Sequence, residues 1–200
     1  AEREIPAGTV LAEEGQSPTE VGYVLEGTLG MVKLLPDGRR HIIGILIPTD
    51  LFGRVFEVPP SFRVVALTRA RLLTFPLAPF QELLERDPAL ERLFMVQVLD
   101  ELDAAREWLL LMSGLRVIQR VASFLILLGR RSGGEGGKEI TLPLGRKNLA
   151  QYLGARPESL SRAFAELARR QVIEALDGRG ERYRILDPQR PLEISGQELG

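Results

Sequence analysis

"ARPESLSRAFAEL", residues 155–167, is the stretch on which the reading of the whole chain turns. Leu160, Phe164 and Leu167 recur at helical spacing, while Glu158, Ser161 and Arg162 gather on the opposite side of the first two turns. Pro157 suits a first helical turn, so "ARP" marks the start of the helix. Just upstream, "GRKNLAQYL" reads as a second short helix, and "GA" at 154–155 joins the two. Gly154 can take the left-handed backbone that such a turn demands, and Ala150 leaves room for the helices to cross closely. Leu149, Leu153, Leu160, Phe164 and Leu167 would fill the small core between them. Two short helices joined by a tight glycine-bearing turn make a helix-turn-helix.

That geometry gives the polar front a task. Arg162 can donate two hydrogen bonds to O6 and N7 of a guanine in the major groove, and Glu158 can accept from N4 of a cytosine. Ser159 and Ser161 suit phosphates or base edges, and Arg146, Lys147 and Arg156 suit phosphates. Downstream, "VIEALDGRGERYRIL" has the strand, Asp-Gly turn and strand of a hairpin. With Arg179, Arg182 and Arg184 it would form a wing beside the duplex. A solvated helix N-terminus would also favour Glu158 through the helix dipole. The hairpin and the charge distribution weigh for double-stranded DNA.

The net charge of −1 conceals a split. Residues 1–112 hold 11 Lys and Arg against 17 Asp and Glu, whereas residues 113–200 hold 15 against 10. A basic half of this kind suits a nucleic-acid partner. With no cysteine there is no disulfide, thiolate nucleophile or iron–sulfur site, and a lone His41 inside the apolar run "HIIGILI" is a poor start for a metal site. An enzyme of the cupin sort, with clustered metal ligands inside a barrel, is excluded on the same ground. The winged helix as a protein-interaction module is a further rival, one that indifference to DNA at low salt would favour. No cofactor is expected. The longest apolar runs fall far short of the roughly 20 residues that span a bilayer, and residues 1–12 do not read as a secretory signal, so a cytoplasmic protein without a membrane partner is expected.

Within an N-terminal domain of residues 1–86, residues 1–75 are punctuated by turn signals, with short β-rich runs between them such as "VGYVL", "LGMVKLL", "HIIGILI", "FRVVAL" and "RLLTF". Such spacing indicates an antiparallel sandwich or barrel. "PLAPFQELLERD" then reads as a short helix. Residues 87–112 form a longer one, opened by Asp87-Pro88. Along it Met95, Val98, Leu102, Ala105, Leu109 and Met112 are spaced 3, 4, 3, 4, 3, a narrow seam flanked by charges. A helix packed on its own sheet would also account for it, but a two-stranded homodimer fits the narrow seam better. Residues 113–186 hold a helical stretch, a Gly-rich surface loop, the short strand "EITLPL", the helix-turn-helix and the hairpin. The tail, 187–200, shows no clear element, with Pro188 and Pro191 as breakers.

This order of parts resembles the CRP/FNR family of bacterial transcription regulators over roughly residues 5–186. Its most specific part is "LAQYLGARPESLSRAFAELARRQVI", and "IPAGTVLAEEG", "YVLEGTLGMVK" and "DLFG" match more loosely. The resemblance implies an α+β chain: an N-terminal antiparallel β-roll (a double-stranded β-helix), a long dimerisation helix and a C-terminal winged helix-turn-helix. Glu158, Ser161 and Arg162 fall on the family's base-reading positions, and Arg146 on a phosphate-contacting one. The family's cyclic-AMP binders carry "FGE", a short helix, then "RSA" or "RTA", but here the stretch is "FGRVFEVPPSFRVVALT". Arg54 follows Gly53 where the glutamate should be. Aligning "VVAL" puts Pro60, beside Ser61, on the phosphate arginine; another register gives that part to Arg63. The purine-facing Thr-Ser pair is missing too, since residues 88–112 contain neither Ser nor Thr.

The expectation is a homodimeric regulator, an activator by preference, that binds a pseudo-palindrome of TGTGA- or TTGAT-like half-sites without cyclic AMP. The alternative keeps the DNA binding and gates it by another small molecule in the roll. The resemblance adds RNA polymerase as a partner, with the exposed loop 131–138 as a candidate contact.

Overall fold

The structure, a computed structural model, describes residues 1–36, 38, 40–55, 59–112, 115–131, 139–187 and 189–195. It comprises two compact units, Ala1–Arg106 and Glu107–Gly200.

Eight strands build the first unit: β1 (Glu2–Ile5), β2 (Val10–Ala12), β3 (Glu20–Glu26), β4 (Leu29–Leu34), β5 (Arg40–Leu46), β6 (Leu51–Phe52), β7 (Arg63–Ala66) and β8 (Ala70–Pro76). They form two four-stranded antiparallel sheets in the orders β1-β8-β3-β6 and β2-β7-β4-β5. Val24, Leu29, Leu46, Phe52, Val64, Ala66 and Leu72 fill the space between them. The near-continuous apolar run of β3 has a physical reason. Its Val24 joins the core between the sheets, while Val21 and Tyr23, one register step away, turn to the other face and meet two helices. Those helices are α1 (Leu77–Arg86) and α2 (Pro88–Met112), whose Phe80, Leu84, Leu90 and Phe94 close a second cluster with Val21, Leu51 and Val55. Asp87 caps α2 with its carboxylate, accepting from the backbone N–H groups of Ala89 (2.9 Å) and Leu90 (3.1 Å).

Beyond Phe94, most of the apolar side chains of α2 among the described residues are exposed. Met95, Val98, Leu102, Leu109 and Met112 are all exposed, Leu109 by 68%, and Ala105 is exposed with them. Leu93, Val96 and Leu99 are exposed as well, so the apolar face is wider than the narrow seam expected from spacing.

The second unit carries α3 (Val117–Arg131), β9 (Glu139–Thr141), α4 (Arg146–Tyr152), α5 (Pro157–Arg169), β10 (Ile173–Ala175), β11 (Arg182–Ile185) and α6 (Gln189–Ser195). The strands form one antiparallel sheet in the order β10-β11-β9, and both α5 and α6 pack on α3. Val121, Phe124, Leu125 and Leu128 of α3 are buried, as their spacing predicts.

Two expectations need correction. The tail is not without structure, because α6 occupies 189–195. Pro191 stands in its first turn, where a helix leaves N–H groups unpaired in any case, and the Asp187 carboxylate accepts from the Gln189 N–H at 3.0 Å. The hairpin, in turn, is not closed by a tight Asp-Gly turn. The last bond of the ladder runs from Leu176 N–H to the Arg182 carbonyl (2.9 Å), and Asp177 holds the loop from within, accepting from the N–H groups of Glu181 (3.0 Å) and Arg182 (2.9 Å). These bonds hold the Asp177 carboxyl below its ordinary pKa, with the Glu181 N–H the largest cause.

Candidate nucleic-acid interface

The turn between α4 and α5 follows from two residues. Gly154 sits at φ +56°, its N–H bonds the Gln151 carbonyl (3.2 Å), and the Ala155 N–H bonds that of Ala150 (2.9 Å). This paired pattern ends α4 and needs a left-handed residue at position 154. Room is short as well: a Cβ on Gly154 would lie 2.6 Å from Met112 Cε. Arg120 of α3 fixes the turn from the other side, donating to the carbonyls of Leu153 (2.5 Å) and Gly154 (3.1 Å). Pro157 then opens α5. Leu149, Leu153, Leu160 and Leu167 are fully buried and Phe164 nearly so, which makes them the core expected between the two helices. At the far end, Gln171 (φ +56°) and Val172 close α5 with bonds to Ala168 (2.9 Å) and Leu167 (3.0 Å).

With one face so anchored, the other is set. Glu158, Ser161 and Arg162 are exposed, the latter two one helical turn beyond the first, and Ala165 and Arg169 continue the stripe of Glu158 and Arg162. Ser159 is half-buried and accepts a long hydrogen bond from the Arg162 guanidinium at 3.4 Å. Lys147, in the first turn of α4, and Arg156, immediately before α5, are both exposed. Arg169 and Arg170 both donate to Glu166, whose carboxyl is held down to about 2, chiefly by the Arg169 bond and then by that of Arg170.

The wing is more constrained than its composition suggests. Arg182 and Arg184 both reach Glu139 of β9, at 3.4 and 2.8 Å, and Arg184 also reaches Glu174 of β10 at 3.2 Å. Arg184 is the first cause of the lowered pKa of Glu139. Arg179 is exposed at the loop. Arg146 departs furthest from the sequence expectation, because its guanidinium faces inward. It lies 3.6 Å over the ring of Phe164 and donates to the Tyr183 hydroxyl and the Gly180 carbonyl (3.3 Å). Sequence reasoning overlooked Tyr183 and Asp177. The aromatic at the start of the last strand and the Asp-Gly pair were visible, but neither names its partner.

In the first unit, the cradle positions are taken up locally. Gly53 (φ +92°) follows β6, backed by the Glu20 carbonyl. The Arg54 guanidinium lies 5.6 Å over the Phe62 ring. Pro60 is buried and its carbonyl accepts from the Gly15 N–H (2.9 Å), while the exposed Ser61 offers its carbonyl to Lys33 (2.6 Å). Arg63 is paired with Glu13 at 2.6 Å. Glu101 of α2 has a raised pKa, from partial desolvation first and the Asp50 carboxylate second, offset by Arg54. Residues 132–138 of the loop expected to touch a protein partner lie outside the described residues. Among the described residues, no group of three or more His, Asp or Glu could hold a metal ion, and no helix is long and apolar enough to cross a membrane.

Comparison with known proteins supplies the context for these two units. Residues 2–87 match the cyclic nucleotide-binding domain and residues 119–190 the Crp-like helix-turn-helix domain. The transcriptional activator protein FnrL of Cereibacter sphaeroides is 33% identical over 98% of this chain and 81% of its own length. The nitrogen fixation regulation protein FixK of Bradyrhizobium diazoefficiens is 33% identical over 91% of this chain and 76% of its own. Among solved structures, FixK2 from Bradyrhizobium japonicum superimposes with a TM-score of 0.88 at 24% identity, covering 100% of this chain and 98% of that one.

Proposed function

The chain belongs to the CRP/FNR family of transcription regulators, and from that premise we propose that it is a homodimeric, sequence-specific DNA-binding activator that needs no cyclic AMP. The observation that carries the DNA reading is the front of α5. A carboxylate, a hydroxyl and a guanidinium stand exposed on the first two turns of a helix whose opposite side is locked in a leucine core. In a major groove, Arg162 reads a guanine and Glu158 the paired cytosine, with Ser161 beside them. Lys147, Arg156, Ser159, Arg179 and Arg182 hold the backbone. The ion pair of Arg182 with Glu139 is exposed and costs little to exchange for a phosphate.

The unburied apolar face of α2 supports the dimer. Two copies joined along Met95, Val98, Leu102, Ala105, Leu109 and Met112 would remove these side chains from water. They would present two α5 helices to successive major grooves about 34 Å apart, reading a pseudo-palindrome of TGTGA- or TTGAT-like half-sites. Cyclic-AMP independence draws on the cradle. Arg54 follows Gly53 where the nucleotide binders carry a glutamate, Pro60 is buried at the phosphate-arginine position of one register, and in the other register Arg63 stands paired with Glu13. Activation is what the name of the FnrL relative suggests; RNA polymerase as partner is carried over from the family resemblance, and the protein then works in the cytoplasm beside its DNA.

A second reading gates the same DNA binding by a different small molecule. It draws on Asp50, Arg54 and Glu101, charged groups close enough to influence one another beside α2, although Asp50 also accepts the Ile47 N–H at 2.9 Å.

The test is half-site ranking. Arg162→Ala should cost about 1–3 kcal/mol and flatten the preference at one G·C pair. An unchanged ranking of half-site variants in competition binding would refute the assigned readout.

A further inference from the structure

Arg146 opens α4, next to the exposed Lys147, yet its guanidinium is folded into the second unit. Its Cζ lies 3.6 Å from the centre of the Phe164 ring and 5.6 Å from that of Tyr183, and the two rings are 5.2 Å apart. Nη2 donates to the Tyr183 hydroxyl and to the Gly180 carbonyl, while Nη1 is shut off from solvent without a hydrogen-bond partner. Phe164 belongs to α5, two residues beyond Arg162. Tyr183 belongs to β11, and Gly180 to the loop at the tip of the hairpin. One planar cation therefore touches the base-reading helix, the wing strand and the wing loop together. The loop is closed tightly over it, since a Cβ on Gly180 would lie 3.0 Å from the Tyr183 oxygen and 3.2 Å from Arg146 Nη2.

A cation in such a place is expensive. Partial burial removes hydration, and Nη1 recovers none of it through a bond. A neutral side chain would fill the volume at lower cost, so filling volume does not explain an arginine. Stacking together with two hydrogen bonds from Nη2 does explain it, because only a guanidinium offers a flat face to Phe164 while its edge bonds a hydroxyl and a carbonyl. We propose that Arg146 is a positioning residue that sets the wing against α5, so that the wing's phosphate contacts and the base contacts of Glu158 and Arg162 fall in one register. This rests on the DNA reading above, and it replaces a direct phosphate contact by Arg146 with an indirect role.

The experiment uses the full chain and compares wild type with Arg146→Ala, Arg146→Lys, Tyr183→Phe and Arg162→Ala, at a temperature where melting curves show all to be folded. Affinity for a specific duplex is followed against salt, and ethylation interference maps the phosphates that matter. Positioning predicts that Arg146→Lys, although it keeps the charge, loses about as much as Arg146→Ala, about tenfold, the scale of one charge-assisted hydrogen bond. Tyr183→Phe should lose a few-fold without any change in charge. The salt slope should fall in all three, Tyr183→Phe included although it removes no charge, because wing phosphates are released, and interference should fade at those phosphates while the G·C preference survives. A lysine variant that binds like wild type, with an alanine variant whose slope falls by about one, would overturn the proposal in favour of a phosphate contact. Uniform weakening at every phosphate would overturn it in favour of a merely structural role. If wild type and Arg162→Ala bind all duplexes alike, the DNA reading itself fails, an outcome distinct from the other two.

Discussion

The front of α5 and the stretch of sequence 51–63 are both places where a family pattern can be laid over this chain residue by residue. At α5 the chemistry the pattern calls for is present, and the fold turns it outward: Glu158, Ser161 and Arg162 are exposed above a closed leucine core. At the cradle the same scaffold survives, down to Gly53 behind β6, but the side chains have found other occupations. Arg54 lies over Phe62 and Arg63 pairs with Glu13. On the function proposed above, the roll is a scaffold kept for its packing after its cyclic-nucleotide chemistry has gone. In the roll, β3 and β8 hold the core whether or not anything binds between Gly53 and Arg63.

The comparison can be broken most forcefully at the core beneath α5. Leu160→Ala should cost about 2–5 kcal/mol of the stability of the second unit, because Leu160 is wholly buried between α4 and α5. Chemical denaturation would measure it, and a cost under about 0.5 kcal/mol would mean that the helix pair is not packed as described. The next effect in size, the loss of about 1–3 kcal/mol of binding in Arg162→Ala, belongs to the exposed side of the same helix and should leave stability nearly unchanged. Arg63→Ala sharpens the contrast. It removes an exposed ion pair worth at most about 1 kcal/mol, and DNA affinity should not move. A fall in affinity there would mean that the cradle still speaks to the DNA-binding unit.

The smallest effect concerns pH. Asp177 titrates below its ordinary value because its ionised form accepts the loop N–H groups. Its contribution to the wing is therefore complete above the unfolded pKa of 3.8 and lost only as the pH falls through the lower folded value. The amide shifts of Glu181 and Arg182 should stay flat from neutrality to about pH 5 and move only in stronger acid. A midpoint near neutrality would contradict the capping role.

Much of this was legible in the sequence, and the exceptions share a cause. Local signals were reliable where one residue type has one use: Gly154 for the left-handed turn, Asp87-Pro88 for the start of α2, Pro157 for that of α5. The α5 core and its polar front followed from periodicity alone. What escaped depended on partners far away along the chain. α6 was hidden because Pro191 reads as a breaker unless its place in a first turn is known. The inward course of Arg146 could not be read either, since Phe164 and Tyr183 become its neighbours only once the wing is folded. An arginine beside a lysine at a helix start looks like a pair of phosphate ligands, and tertiary packing separates them.

We propose that this regulator reads DNA through α5 while its cradle no longer answers to a cyclic nucleotide. The most direct test is binding of the purified protein to a pseudo-palindromic duplex with TTGAT- or TGTGA-like half-sites, at fixed salt, with and without cyclic AMP. Tight, sequence-specific binding should be the same in both. Weak binding rescued by the nucleotide would contradict it, and would mean that Arg63 leaves Glu13 to hold the phosphate.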